Sequence, residues 1–555
     1  MKNNVLTKEL AEYWTIIGGF AAWINAALKH FSHDIKGGFY TGLRKGQRRL
    51  FVLYNLFLSA YSVFVIYISH SEMLFASERK TYFVFFFSIL LFLFVYNLIV
   101  FICSRYRSAV ISATGKKSTL KKETVLLFGG ACFFILLVSF VASFPGGISP
   151  DTENQWLQVH NGRFDDWHPV IHTLLIWLVT RIIDHYAFVC FVQITVFSIG
   201  VGLLIATLES WGFGRKHVLT AGLFIILNPY TMNIMMYLWK DSALTVLIVF
   251  IAIMMINIYF SQGAWFSKWR NAMLFALAVG LASIVRHNGF FFTLPLSVLV
   301  LFLYSRQTIK APAAVVLTMA FVFLVKVPLY SALNVTYPHN FYQESVGIPM
   351  TILGDALIKK SHALPPKAKE FLNTLATDEE WRKNYVPGNY NSIKFTFNAS
   401  DRIKAVPPRI FLKWVLQTYT NAKRESFSAV CNVTDIVWKI ERGGSGFITP
   451  PPAYANNIIS RALHIGFIGY FVFCLMIPVI SWLFTNTGLL MLLLLLGGIF
   501  SLRRNGANAL FLLVPSVCYN LGTMLLLCGP DVRFFHFNVV ITLPLLFVLL
   551  AERNE

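Results

Sequence analysis

Apolar runs of about 18 or more residues, each long enough to cross a bilayer as a helix, recur along almost the whole 555-residue chain. A run of that kind must satisfy its own backbone hydrogen bonds, which leaves the α-helix as the element of choice. The chain therefore reads as an all-α polytopic membrane protein with about 11–13 spans. Only 13% of its residues are charged and 56% are hydrophobic, against roughly a quarter charged in a soluble domain. That excludes a disordered chain, a disulfide-stapled secreted domain and an ordinary cytosolic enzyme.

The formal net charge of +21 does not point to nucleic acid. Lys and Arg gather in short loops between apolar runs, as the positive-inside rule predicts. Six of the seven cysteines lie in apolar segments; only Cys431 falls in a long polar region, so no disulfide can close within it. An N-terminal stretch at 13–28, broken by Gly18-Gly19 and Asn25, reads as an interfacial or short spanning helix rather than a cleaved signal.

Charge parity orders the spans. Runs at 50–69, 81–103 and 124–144 are clear, and the loop between the last two carries Arg105, Arg107, Lys116, Lys117, Lys121 and Lys122, which places it inside. The third span then exits at Phe144. The run 170–183 is too short to span comfortably and reads as a helix on the outer surface. The boundaries divide the chain into an N-terminal segment 1–123 with two spans, a core 124–330, an outer domain of mixed structure 331–456, and C-terminal spans 457–555. Parity fails to close at one place: between 456 and Arg503-Arg504 an odd number of crossings is required, yet two apolar runs are present, 458–484 and 488–502. Either the first is re-entrant or surface-lying, or the charge rule fails there.

With this topology five polar clusters share the outer face: 151–155, 165–172, 239–241, 286–288 and 529–533. Charge at a bilayer edge is costly and marks candidate function. Asp151, after Ser149-Pro150, can serve as a general base or hold a cation, and it is equally suited to cap a helix. His168 and His172 share a helix face at zinc-ligand spacing, or are plain interfacial polar groups. Lys240-Asp241 is a phosphate contact or a self-neutralising pair. Arg286-His287-Asn288 is a site or a snorkelling boundary, and Asp531 with Arg533 a site or a surface ion pair. In the outer domain Tyr342-Gln343-Glu344 and the Trp381, Tyr385, Asn391-Ser392, Lys394 set read as a carbohydrate cleft or as packing of a small domain.

The ordered set Ser-Pro-Asp151-Thr-Glu153-Asn-Gln155, His168-Pro169 and Trp-Lys-Asp241, followed by a large outer domain, resembles the GT-C superfamily of membrane glycosyltransferases over roughly 124–551. Trp-Lys-Asp after Asn228-Pro229, with Arg-His-Asn-Gly later, is similar to bacterial members that decorate envelope polymers. Two features depart from the family pattern. Its paired acids are replaced by Asp151-Thr152-Glu153, and two spans precede the common core.

The resemblance implies a GT-C-like bundle in a bacterial plasma membrane, with its active site on the extracytoplasmic face. It implies inverting transfer of a sugar from a polyprenyl-phosphate donor to an envelope glycan, lipid or protein acceptor. Asp151 is then the base, and Arg533, Arg286 and Lys240 receive the lipid phosphate, Arg533 foremost. Glu153, Gln155, Asp166, His168, Asp241, His287, Asn288, Glu344 and Asp531 bind substrate. Some members need a divalent cation and others do not; Lys240 beside Asp241 can stand in for one. The rival readings are a lipid-linked glycan polymerase or ligase, a lipid-sugar flippase or transporter, and a non-catalytic receptor.

Overall fold

The computed structural model describes residues 45–69, 78–105, 111–113, 117–338, 342–394, 396–397, 400–440 and 458–553. The stretch expected at 13–28 and the prolines 450–452 lie outside the described residues.

The chain opens with α1 (Lys45–Ser69) and α2 (Glu78–Arg105), followed by α3 (Lys122–Ala142). Two short helices, α4 (Pro150–Asn161) and α5 (Val170–Thr180), precede α6 (Tyr186–Ser210). The apolar run 218–236 is cut by Asn228-Pro229 into α7 (Arg215–Ile226) and α8 (Pro229–Ile234). The core closes with α9 (Lys240–Phe260), α10 (Trp269–Ile284), α11 (Phe290–Tyr304) and α12 (Lys310–Leu324). At eleven residues α5 rises about 16 Å, too little to cross, in line with the short run from which it forms.

Among the described residues nine helices are long and apolar enough to span a membrane, and four shorter apolar helices accompany them: Phe87–Cys103, Val170–Thr180, Trp269–Ile284 and Asn508–Met524. The expected 11–13 exceeds nine because a proline break and short helices remove continuous length that composition alone counts. The described strands are one short parallel pair, Ile111–Ala113 against Ala551–Arg553.

The bundle is knit where side chains vanish. At the α3–α6 crossing Gly129 faces Gly202, and a Cβ on Gly202 would come within 2.5 Å of the Val125 carbonyl. Backbones therefore meet directly, as small residues allow between membrane helices.

The outer domain is not mixed. Its described regular elements are helices, chiefly α13 (Gly347–Lys360), α14 (Pro366–Leu375), α15 (Pro408–Asn421) and α16 (Lys423–Trp438). The helical signal is in the sequence: Phe371, Leu372 and Leu375 in α14, and Phe411, Val415 and Thr418 in α15, recur every three or four residues and are buried. Both helices start on the second proline of a Pro-Pro pair, at the position where a missing N–H costs nothing. Trp381 and Tyr385 belong to this core, not to a cleft. Trp381 Nε1 donates to Leu372 O at 3.1 Å, and Tyr385 OH donates to Asp355 Oδ1 at 2.8 Å.

The C-terminal run that upset parity is itself broken. The run 458–484 is two helices, α17 (Ile458–Met476) and α18 (Pro478–Thr485), followed by α19 (Thr487–Asn505), α20 (Asn508–Met524) and α21 (Phe537–Leu550). Ser460 Oγ donates to Val141 O at the loop-domain end of α3. Further down, Tyr470 OH donates to Leu227 O, while Asn228 Nδ2 donates to Phe484 O at 3.3 Å. Tyr470 and Phe484 thus sit at one depth, beside consecutive residues. The chain runs along α17 away from the loop-domain end of α3, turns at Ile477-Pro478 into α18, and α19 then leads to Arg503-Arg504.

The end of the bundle remote from the outer domain is basic. There Lys121 pairs with Glu209 at 2.7 Å, Arg504 donates to Leu550 O at 3.1 Å, and Arg503 and Lys310 bond the Cys103 and Ser267 carbonyls. The opposite end carries the polar clusters and receives the outer domain.

The α3–α6 crossing is testable. Gly202→Leu should destabilise the detergent-solubilised protein by about 1–3 kcal/mol, the usual cost of overpacking. Gly130→Leu, whose Cβ meets nothing within 4 Å, should leave the thermal unfolding curve unchanged.

Candidate functional site

The site is assembled by capping and by one tryptophan. Ser149 caps α4: its side chain accepts from Thr152 N, and Thr152 answers to the Ser149 N–H, with Pro150 in the first helical position. Asp151 is therefore not the cap, and its carboxylate is left to face the cavity from the positive end of the helix. Across from it, Gln193 Nε2 donates to the carbonyls of Met235 and Tyr237, both at 2.9 Å, and Gly147 N donates to Met236 O at 2.7 Å. These bonds fix the turn that leads into α9. Trp239 stacks on Tyr237 at 4.0 Å and donates its indole N–H to Ser149 Oγ at 2.8 Å. The start of α9, with Lys240 and Asp241, is thereby tied to the start of α4.

The segment 531–533 brings in the central cation. Asp531 accepts from Arg533 N at 3.1 Å, closing a tight turn. The Arg533 guanidinium then meets three carboxylates: Asp531 at 2.7 Å, Asp151 at 3.1 Å and Asp241 at 3.9 Å. The second oxygen of Asp241 takes Arg286, which lies over the Phe534 ring at 4.1 Å. Asp241 is 1% exposed and Arg286 5%, so this is a buried pair and not a snorkelling boundary. Lys240 turns the other way and donates to His168 Nδ1 at 2.8 Å. The two neighbours do not neutralise one another.

Burial disfavours the charged form of Asp151, but Lys240 and Arg533 outweigh it and hold the carboxyl below its ordinary value of 3.8. Burial, helped by Lys240, pushes His168 down to about 3. His168 is accordingly neutral, with its Nδ1 lone pair on Lys240 and its proton on Nε2.

These side chains open onto one cavity of about 490 Å³. Of the thirteen residues expected from sequence, Asp151, His168, Lys240, Arg286, His287, Asn288, Glu344, Asp531 and Arg533 line it, and Asp241 stands directly behind. Three do not reach it. Glu153 is exposed on the far side of α4. Gln155 is buried between α4 and α5, donating to Thr173 and accepting from His172, both at 3.0 Å. That bond also places His172 inside the α4–α5 packing, away from the cavity. Asp166 is taken by Lys326 at 3.1 Å and Tyr330 at 2.7 Å, although its backbone carbonyl accepts from His287 at 3.0 Å.

The lining also includes residues that the sequence does not single out: Trp167, Phe290, Phe534 and Cys528. Trp167 and Phe534 adjoin named polar residues, which is the signal that could have found them. Among the described residues no group of three or more His, Cys, Asp or Glu is gathered to hold a metal ion.

Removing one half of the buried pair should be costly. Asp241→Ala leaves Arg286 without its counter-charge and should lower stability by about 3–5 kcal/mol. Glu153→Ala, at an exposed position, should stay within about 0.5 kcal/mol of wild type. Thermal unfolding in detergent separates the two outcomes. Set against family models, curated proteins and solved structures, the chain matches none.

Proposed function

We propose that this protein is a membrane glycosyltransferase that moves a sugar, with inversion, from a polyprenyl-phosphate donor to a cell-envelope acceptor. The single observation that carries the reading is one cavity in which Asp151 is opposed by Lys240, Arg286 and Arg533 at the end of a membrane bundle. A lipid-borne anionic donor meets its polar partner where apolar helices end. We further propose that the basic end of the bundle faces the cytoplasm, following the positive-inside rule, so that the cavity faces outward.

In this mechanism the acceptor hydroxyl attacks the anomeric carbon as its proton passes to Asp151, and the bond from that carbon to the phosphate oxygen breaks on the opposite face. The departing phosphate takes the electron pair, and the fixed cations stabilise its charge best where water is scarce. Arg533 has two tasks. In the free enzyme it joins Lys240 in holding the Asp151 carboxyl below its ordinary value; as it turns toward the phosphate, Asp151 loses a cation and its affinity for a proton rises.

One observation favours a second reading. The helix broken at Asn228-Pro229 is bonded to the α17–α18 pair, itself broken at Ile477-Pro478, and discontinuous helices at depth are the usual hallmark of transporters. A lipid-sugar flippase is the alternative to be tested alongside.

The test uses purified protein, radiolabelled polyprenyl-phosphate hexoses and envelope extract. Wild type should move label from lipid to polymer, and Asp151→Asn should lose about 10²–10⁴-fold of the rate. Equal transfer by both would remove Asp151 from its role. No transfer by either, with lipid-linked sugar crossing vesicles that carry the protein, would establish the flippase.

The pH profile supplies a second test. Asp151 stays ionised to below 3.8 in the free enzyme, so kcat/KM should hold through mild acid and fall only below that value. Arg533→Gln removes a lowering charge, and the acid limb should move upward.

A further inference from the structure

The cavity has two chemically different walls. The bundle wall carries Lys240, which donates to His168 Nδ1 at 2.8 Å. The wall given by the outer domain is built from Glu344, Asn391 and Lys394. Lys394 Nζ lies 2.7 Å from Glu344 Oε1, and the two differ in exposure: 8% for Lys394 and 34% for Glu344. The lysine sits behind and cancels the charge, while the carboxylate faces the space. Its other oxygen meets the weak donor Cys528 Sγ at 3.7 Å.

Asn391 is exposed beside it, and its backbone N–H is anchored on Cys528 O at 3.1 Å. The wall is seated without slack. A Cβ on Gly347 would strike the Leu527 carbonyl, and one on Gly529 would strike the Asn389 amide. A carboxylate that accepts, an amide that both donates and accepts, and a local charge of zero form a set suited to hydroxyl groups. A second anion is poorly served here: it would face Glu344 at close range with the compensating lysine behind.

We infer that Glu344 and Asn391, backed by Lys394, form the acceptor subsite, and that the acceptor presents a neutral, polyhydroxylated sugar with no charged group beside its reacting hydroxyl. This rests on the transferase reading and adds the chemical class of the acceptor. It also assigns the donor phosphate and the acceptor to opposite walls, which makes their binding separately measurable.

The experiment uses full-length protein in detergent. Binding of a polyprenyl-phosphate hexose is measured without acceptor, and transfer is measured to a neutral oligosaccharide and to the same oligosaccharide carrying a phosphate. Glu344→Gln and Asn391→Ala should each raise KM for the neutral acceptor by about tenfold, as loss of a good hydrogen bond does, with donor Kd unchanged. Glu344→Lys should turn preference toward the phosphorylated acceptor, a gain that an unfolded variant cannot show.

Unchanged KM in Glu344→Gln and Asn391→Ala, with donor still bound, overturns the subsite and leaves the transferase reading standing. Wild-type preference for the phosphorylated acceptor overturns the assigned class. Failure of wild type to bind or transfer any donor overturns the transferase reading and this inference together.

Discussion

A charge at the edge of an apolar bundle persists only with its counter-charge in place, and here one guanidinium serves carboxylates from three separate stretches of chain. Arg533 draws in Asp151 from α4, Asp241 from α9 and its own neighbour Asp531. Since Asp241 also holds Arg286, the turn between α10 and α11 joins the same net. Residues up to 382 positions apart in sequence are thereby held at one end of the molecule. Each partner lowers the cost of burying the others, so the net works as a unit rather than as separate bridges. Its geometry in turn depends on neutral groups: the Ser149 cap, the Trp239 indole and the Gln193 amide set where the charges stand.

Much of this was legible in the sequence, for a physical reason. Apolar length and loop charge are one-dimensional properties, so the spans around α3, α6, α9 and α19 could be read directly, and parity exposed the anomaly at 458–484. The convergence of Asp151, Lys240, Arg286 and Arg533 followed from the same bookkeeping of faces. Pairing is three-dimensional and was not legible. Nothing in Lys240-Asp241 says that one side chain turns to His168 and the other to Arg286. Asp166 is kept from the cavity by Lys326 and Tyr330, which lie within its reach. Glu153 shares a motif with Asp151 but sits about 200° further round the helix, which carries it to the other side.

The outer domain shows the same division. Its helices were encoded in the spacing of Phe371, Leu372 and Leu375 and in the proline pairs, whereas its aromatic residues were ambiguous between a cleft and a core. Trp381 and Tyr385 went to the core because Asp355 and the Leu372 carbonyl satisfy their polar atoms there. Asn391 and Lys394, with less apolar surface to bury, went to the cavity wall.

The seat between the outer domain and the bundle has an evolutionary corollary. Where Gly347 and Gly529 meet the opposing backbone and the Asn389 amide, the two surfaces leave no room for a methyl group. The domain therefore cannot be exchanged as a detachable module, as a tethered binding domain often can. Any natural or engineered replacement of 342–440 must bring a matching 527–529 turn with it. That turn leads straight into Asp531 and Arg533, so a change of outer domain is at the same time a change to the floor of the cavity.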